Sequence, residues 1–197
     1  MILVGLAGKS GSGKSTIARH LVKRGAGHID ADRITHKLLE SDEPVKEKLR
    51  ARFGEGIFDG KNVNRIALGA IVFGDAGALS DLNAIIHPAI IDGCRVQLEA
   101  LTRGGADLIV IDAALLLEVP LPFTFDLMIG LHCGRDELER RLKTAGLKET
   151  VTQSRLDSQT HIDDGLENAD VVIDTGRPLE EVLADVDRLV DGAINSE

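Results

Sequence analysis

A glycine-rich segment near the start of the chain has the residue types that bind phosphate groups. Residues 8–16, hereafter the phosphate loop, read Gly-Lys-Ser-Gly-Ser-Gly-Lys-Ser-Thr and contain the pattern Gly-x-x-x-x-Gly-Lys-Ser. Glycines let successive N–H groups turn inward around phosphate oxygens, and a following helix N-terminus adds amides and a positive dipole end. In this pattern the Lys14 ammonium bridges the β- and γ-phosphates, and the Ser15 hydroxyl binds Mg²⁺. The predicted contacts to a nucleoside triphosphate are Gly11, Ser12, Gly13, Lys14, Ser15 and Thr16.

Acidic residues follow two apolar runs at the point where each run ends. Asp30-Ala31-Asp32 follows His28-Ile29, and Asp112 ends the run 108–111. Ligands of open α/β sheets bind at the carboxyl ends of the strands. Asp32 is therefore expected to accept a proton from an attacking hydroxyl, the alternative being that it caps the next helix. Asp112 is expected to hold a Mg²⁺-bound water or to orient the substrate, the alternative being a turn residue.

A charged segment, residues 135–149, could supply the positive charge that phosphoryl transfer requires. We expect a short lid that closes over the nucleotide and excludes water. For any single residue the alternative is a solvated helix face with pairs such as Glu137–Arg141. The basic residues here are Arg135, Arg140, Arg141, Lys143 and Lys148.

Alternating strands and helices are expected to position the phosphate loop, the acidic residues and the charged segment. Helical spacing follows the phosphate loop to about Arg24 and follows Pro178 near the end of the chain. The pattern predicts a three-layer α/β fold with a parallel sheet and right-handed crossovers, its core being residues 1–43, 102–134 and 150–197. Residues 44–101 contain no good strand and are expected to form a helical insertion that Pro88 interrupts. The apolar strand runs are 2–7, 28–30, 108–112, 127–131 and 171–173.

The amino-acid composition of the chain argues against some classes of binding partner. The chain of 197 residues has 23 Lys and Arg against 32 Asp and Glu, a net charge of −9, which argues against nucleic acid or an anionic membrane. No apolar run is long enough to span a bilayer, and no signal peptide is evident, so we expect a cytoplasmic protein. Cys94 and Cys133 have no metal-site spacing and are expected to be buried thiols. No interface pattern indicates an oligomeric state.

The motifs together resemble those of the dephospho-CoA kinase family, over nearly the whole chain. The resemblance begins with the phosphate loop and with Ile29–Ile34 after the second strand. Phe53-Gly54, Val63-Asn64-Arg65, Leu82-Asn83 and Ile86-His87-Pro88 follow in the family's order, then Leu115-Leu116-Leu117-Glu118, Arg140, Arg155 with Gln159, and Ala169–Ile173.

The resemblance implies ATP-dependent phosphorylation of the ribose 3′-hydroxyl of dephospho-CoA, with Asp32 as the base. It implies that Lys14 and Arg140 are catalytic, that Ser15 binds Mg²⁺, and that a helical region, 44–101, binds the acceptor. Another small-molecule kinase, acting on a nucleoside, sugar or other alcohol, is the alternative. The implied acceptor-binding residues are Asp32, Arg65, His87, Asp112, Leu115 and Glu118.

The chain also departs from the family pattern at several positions. Lys9 adds a charge beside the phosphates where the family usually has glycine, and Thr144 stands where a lid arginine is expected. Arg141 or Lys143 could take the place of that arginine. Gly165 and Thr175 stand where the family has a lysine and an asparagine. The departures at Thr144, Gly165 and Thr175 concern the lid and the adenine side, and none of the departures changes the Gly-x-x-x-x-Gly-Lys-Ser pattern or Asp32.

Overall fold

The computed structural model describes residues 1–72, 74–114, 116, 122–160 and 162–195. They fold as two compact units, one formed by Met1–Asp30 with Leu98–Glu197 and the other by Ala31–Gln97. The strands are β1 (Ile2–Gly8), β2 (Gly27–Asp30), β3 (Phe58–Asp59), β4 (Asn62–Val63), β5 (Leu108–Asp112), β6 (Leu127–His132) and β7 (Val171–Asp174). The α-helices are α1 (Lys14–Lys23), α2 (Ala31–Ser41), α3 (Glu43–Phe53), α4 (Arg65–Val72), α5 (Ala76–Arg103), α6 (Arg135–Thr144), α7 (Glu149–Asp157), α8 (Ile162–Gly165) and α9 (Leu179–Ile194).

Among the described residues, five strands of the first unit form one parallel sheet in the order β2-β5-β1-β6-β7. Every residue of β1 and β5 is buried, as expected for central strands covered on both faces. The predicted α/β fold with a parallel sheet is therefore confirmed, and each predicted strand lies within one residue of its observed bounds.

The sheet register brings together the strand ends on which the functional side chains were predicted. Asp30 of β2 is paired with Asp112 of β5, and Asp112 is in turn paired with Leu6 of β1. The phosphate loop begins at Gly8, two residues after Leu6. The two carboxylates and the loop thus leave neighbouring strands at the same edge of the sheet.

An aliphatic core holds this edge in place. Ile17 and Leu21 of α1 and Val182, Val186 and Val190 of α9 are buried in one cluster with the apolar residues of β1, β5 and β6. Helix α9 begins directly after Pro178, as the sequence predicts. The helix that follows the phosphate loop is therefore fixed on the sheet by its apolar face.

The second unit is largely helical, with two differences from the sequence prediction. Helix α5 continues through Pro88, so the predicted interruption there is wrong. A proline removes one N–H donor from a helix. Helix α5 continues past Pro88 because it buries residues on both sides of the proline, namely Ala78, Ile86 and Cys94. The expectation that residues 44–101 contain no strand is also wrong, because β3 and β4 form a short hairpin around Gly60.

The boundaries predicted for an acceptor-binding insertion, 44–101, remain a prediction, because compactness does not show what a region binds. In the described part of the chain, every helix is too short or too polar to cross a membrane.

Candidate active site

The backbone of the phosphate loop requires its glycines. Gly13 has a φ of 101°, in the left-handed region, and it is the N-cap residue directly before α1, with no side chain to cap the helix amides. A Cβ atom on Gly8 would lie 2.6 Å from the carbonyl oxygen of Leu131, so the strand β6 leaves no room for a side chain there. The loop therefore turns tightly from β1 into α1 and presents the start of the helix, the arrangement that binds phosphate.

Polar side chains of the loop are held close to its backbone. Lys14 is 8% exposed, and its Nζ donates to the carbonyl oxygens of Gly8 at 2.7 Å and Lys9 at 3.2 Å. The hydroxyl of Ser12 is buried and has no hydrogen-bond partner among the described residues. A buried hydroxyl in that state is uncommon in a folded protein and is expected where a ligand supplies the partner. Ser15 and Thr16 are accessible at the start of α1.

A cleft of about 830 Å³ extends from the phosphate loop to the segment that follows β7. This volume is within the range of small-molecule sites. Of the predicted ATP-binding residues, Gly11, Gly13, Lys14, Ser15 and Thr16 line it, and so does Arg140. The sequence does not predict the opposite wall as a whole, although Thr175 stands where the family has an asparagine and the segment follows the carboxyl end of a strand. That wall is Thr175, Gly176, Arg177, Pro178 and Leu179.

Helix α6 contributes two arginines that share one carboxylate. Arg140 donates to both oxygens of Glu137, at 2.6 and 2.7 Å, and Arg141 donates to one of them at 2.7 Å. Hydrogen bonds from Arg140, which has the larger effect, and from Arg141 lower the pKa of Glu137 to about 2. Glu137 is therefore ionised at any ordinary pH and orients both guanidinium groups.

The charge of Lys9, unexpected beside a phosphate site, is paired within the protein. Its ammonium forms an ion pair with Asp163 of α8. The next amide, Ser10 N–H, donates to the side-chain oxygen of Gln159 at 2.8 Å. The outer part of the loop is thus attached to α8 and to the segment that precedes it, and Lys9 is not an unbalanced charge.

Asp112 lies 3% exposed at the end of β5 and is hydrogen-bonded to His28 of β2, with Nε2 and Oδ2 3.1 Å apart. This hydrogen bond raises the pKa of His28, against the opposing effect of burial, and the charge of Asp30 adds to the rise. An imidazolium next to a buried carboxylate balances its charge and fixes its orientation.

The His28–Asp112 pair predicts a pH-dependent contribution to stability. The pKa of His28 is higher in the folded protein than in the unfolded chain, where it is near 6.5. The pair therefore contributes fully to stability below about pH 6.5, and this contribution is lost as the pH rises through the pKa of His28 in the folded protein. We expect His28→Gln to lower the free energy of unfolding by about 1 kcal/mol at about pH 6, and by less at about pH 9. Urea denaturation of both proteins across this range measures the difference, and a difference that does not change with pH would contradict the assignment.

Three predicted site residues belong to the second unit. Asp32 is exposed in the first turn of α2, which begins at Ala31, so Asp32 is the second helical residue and not the N-cap. Arg65 is exposed at the start of α4. His87 of α5 is half-buried, and burial lowers its pKa, which favours the neutral imidazole. Leu115 and Glu118 lie outside the described residues.

A parallel sheet of this order, with a phosphate loop between β1 and α1, defines the class of phosphate-loop kinases. A family model described as dephospho-CoA kinase matches residues 2–181. The chain therefore belongs to the dephospho-CoA kinase family, and the resemblance seen in the sequence is confirmed.

Curated relatives agree with this assignment, and solved structures share the fold. The chain is 41% identical over 193 residues to the dephospho-CoA kinase of Leifsonia xyli subsp. xyli, covering 96% of this chain and 97% of that protein. It is 35% identical over 198 residues to that of Syntrophotalea carbinolica, covering 98% and 94%. The crystal structure of TT1252 from Thermus thermophilus has a TM-score of 0.77 at 27% identity, covering 97% of this chain and 96% of that chain. A shikimate kinase from Acinetobacter baumannii, at 16% identity and a TM-score of 0.51 with 100% and 94% coverage, shares the fold.

Proposed function

We propose that this chain transfers the γ-phosphoryl group of ATP to the ribose 3′-hydroxyl of dephospho-CoA, giving CoA and ADP. The observation that carries the proposal is a cleft opening from the phosphate loop, in a chain that belongs to the dephospho-CoA kinase family along nearly its whole length. Both substrates are small anionic molecules, which fits a local basic site in an otherwise acidic protein. A cytoplasmic location is part of the proposal.

The phosphate groups of ATP would be held by the loop and the start of α1. Backbone amides of the loop, such as those of Gly13 and Ser15, would donate to phosphate oxygens, and the Ser12 hydroxyl would gain a partner there. Lys14, now bonded to two loop carbonyls, has a long side chain that can turn its ammonium to the β- and γ-phosphates. Arg140 lines the same cleft and would balance the negative charge on the transferred group.

Magnesium fits the oxygen atoms that this edge of the sheet provides. The Ser15 hydroxyl is accessible at the start of α1, and Asp30 and Asp112 are neighbours in register on adjacent strands. Mg²⁺ prefers oxygen ligands and keeps several waters. We propose Ser15 as a direct ligand and Asp112 as a residue that holds a coordinated water. When bound, the ion would neutralise charge on the β- and γ-phosphate oxygens.

The acceptor would be activated and bound by residues of the second unit. Asp32 would accept a hydrogen bond from the 3′-hydroxyl and take its proton as the oxygen attacks the γ-phosphorus and ADP leaves in line. Arg65 and His87 would bind the acceptor, Arg65 through its charge. The segment 135–149 would close over the nucleotide and exclude water, which would otherwise compete with the hydroxyl.

An acceptor assay tests this proposal. Purified protein with ATP and Mg²⁺ is offered dephospho-CoA, CoA, and a panel of nucleosides and sugars, and ADP release is followed by a coupled assay. We expect rapid turnover with dephospho-CoA and a product with one added phosphoryl group by mass spectrometry. CoA is the matched control, because its 3′-hydroxyl is already phosphorylated, and it is expected to give only background. Turnover of another alcohol without turnover of dephospho-CoA would overturn the proposal.

A further inference from the structure

One guanidinium group joins the two walls of the cleft. Arg141 Nη1 donates to the carbonyl oxygen of Gly11 in the phosphate loop, at 3.2 Å. Its Nη2 donates to the carbonyl oxygen of Thr175, directly after β7, at 2.6 Å, and Nη1 also lies 3.4 Å from the Thr175 hydroxyl. Arg141 therefore connects the phosphate-loop wall of the cleft with the opposite wall, residues 175–179.

Each end of this connection is itself fixed. Thr175 is 4% exposed, and its hydroxyl donates to the carbonyl oxygen of His132 at the end of β6. The Nε atom of Arg141 donates to Glu137, which the same helix supplies one turn earlier. The guanidinium is planar with donors in a fixed fork, so three acceptors in three directions hold it in one orientation.

The neighbouring basic residues of α6 do not make this connection. Lys143 is paired with Glu149 at 2.7 Å and does not line the cleft. The side chain of Arg140 is 66% exposed, and its guanidinium group donates to Glu137. Arg141, with 28% of its side chain exposed, is thus the basic residue placed to set the distance between the two walls.

We propose that Arg141 is a positioning residue for the nucleotide, which holds the phosphate loop and the segment 175–179 at the spacing that ATP requires. The inference rests on the proposed function, since it takes ATP as the occupant of this cleft. The phosphates lie at one wall, so the nucleoside part must extend along the cleft towards the other. Without Arg141 this direct link between the two walls is lost, and ATP must order them more fully when it binds, which weakens its affinity.

Nucleotide binding by Arg141 variants tests the inference. We expect Arg141→Gln to raise the Kd of ATP and of ADP by about tenfold in isothermal titration calorimetry. The KM for ATP is expected to rise in parallel, while kcat at saturating ATP and the KM for dephospho-CoA stay within about twofold. Arg141→Lys is expected to recover little of the affinity, because one ammonium cannot reach all three acceptors in a fixed plane.

Matched variants separate positioning from a general structural effect. Arg188→Gln removes an exposed arginine that is paired with Asp185 in α9, outside the cleft, and is expected to leave the Kd unchanged. A lower Tm for Arg141→Gln with an unchanged Kd would overturn the inference, as would a loss of kcat at unchanged KM for ATP. A larger rise in Kd for Lys143→Gln than for Arg141→Gln would also overturn it.

The inference and the proposed function can fail separately. ADP binding needs no acceptor, so the affinity comparison remains decisive if the wild-type protein does not phosphorylate dephospho-CoA, a result that overturns the proposed function alone. An unchanged ADP affinity in Arg141→Gln, with normal turnover of dephospho-CoA, overturns the inference alone. A wild-type protein that binds neither ATP nor ADP overturns both.

Discussion

Replacement of Lys14 with alanine is expected to lower kcat/KM for ATP by about 10³-fold, through both a higher KM and a lower kcat. The ammonium is the buried cation of the phosphate loop, within hydrogen-bonding distance of the Gly8 and Lys9 carbonyl oxygens. Its charge attracts the phosphates in the ground state and stabilises the extra charge on the leaving oxygen in the transition state. Steady-state kinetics with varied ATP and saturating dephospho-CoA measures both effects.

The matched control for this variant is Lys23→Ala at the other end of α1. Lys23 is exposed in the last turn of the helix, away from the loop, so its removal is expected to change kcat/KM by less than about twofold. Because Lys14 also bonds to the loop backbone, the Tm of Lys14→Ala is measured beside its activity. A folded Lys14→Ala protein that keeps the wild-type KM and kcat would exclude Lys14 from the phosphate site.

The elements around the phosphate loop could be predicted because local sequence determines them. Residues 2–8 are buried on both faces, and a strand in that position requires a nearly continuous apolar run, which the sequence shows. Gly8 and Gly13 occupy places where a side chain would clash or strain the backbone. Asp112 ends the buried strand β5 because a charged residue is tolerated where the strand leaves the core, beside His28.

The sequence offers Arg141 and Lys143 equally as replacements for the expected lid arginine. It cannot show which of them faces the cleft, because that depends on which neighbour α6 packs against. Leu138 and Leu142, four residues apart, are both buried on one face of α6. The sequence does not show that this face lies on the phosphate loop, where a Cβ atom on Gly11 would be 3.3 Å from Leu142 and 3.5 Å from Leu138. Because α6 packs against the phosphate loop, Arg141 contacts the loop and Lys143 contacts Glu149.

The course of α5 could not be predicted for a related reason. A proline at residue 88 predicts a break from local preference alone, since it removes a hydrogen bond and crowds the preceding turn. In the structure, burial of Ile86 and Cys94 on the same helix compensates for that local cost. Tertiary packing, which a single sequence does not display, therefore decides the length of this helix.

Asp32→Asn is expected to lower kcat by about 10²–10⁴-fold and to leave the Kd of ATP nearly unchanged. The amide keeps the shape of the side chain and its hydrogen-bonding reach, but it cannot take a proton from the 3′-hydroxyl. Asp32 is exposed in the first turn of α2, where a negative charge is also favoured by the helix dipole. The variant must therefore distinguish a base from a carboxylate that only stabilises the helix.

Kinetics and stability together make that distinction. A carboxylate acting only on the helix dipole contributes about 0.3–1 kcal/mol to stability and nothing to kcat, so Asp32→Asn would lower the Tm slightly and leave turnover intact. Glu40→Gln, at the exposed far end of the same helix, removes an equal charge and is expected to leave kcat unchanged. A base also has a kinetic signature, because the acidic limb of the kcat–pH profile reports its ionisation and should disappear in Asp32→Asn. If that limb persists and kcat stays near the wild-type value, the proton of the acceptor goes elsewhere and Asp32 is not the base.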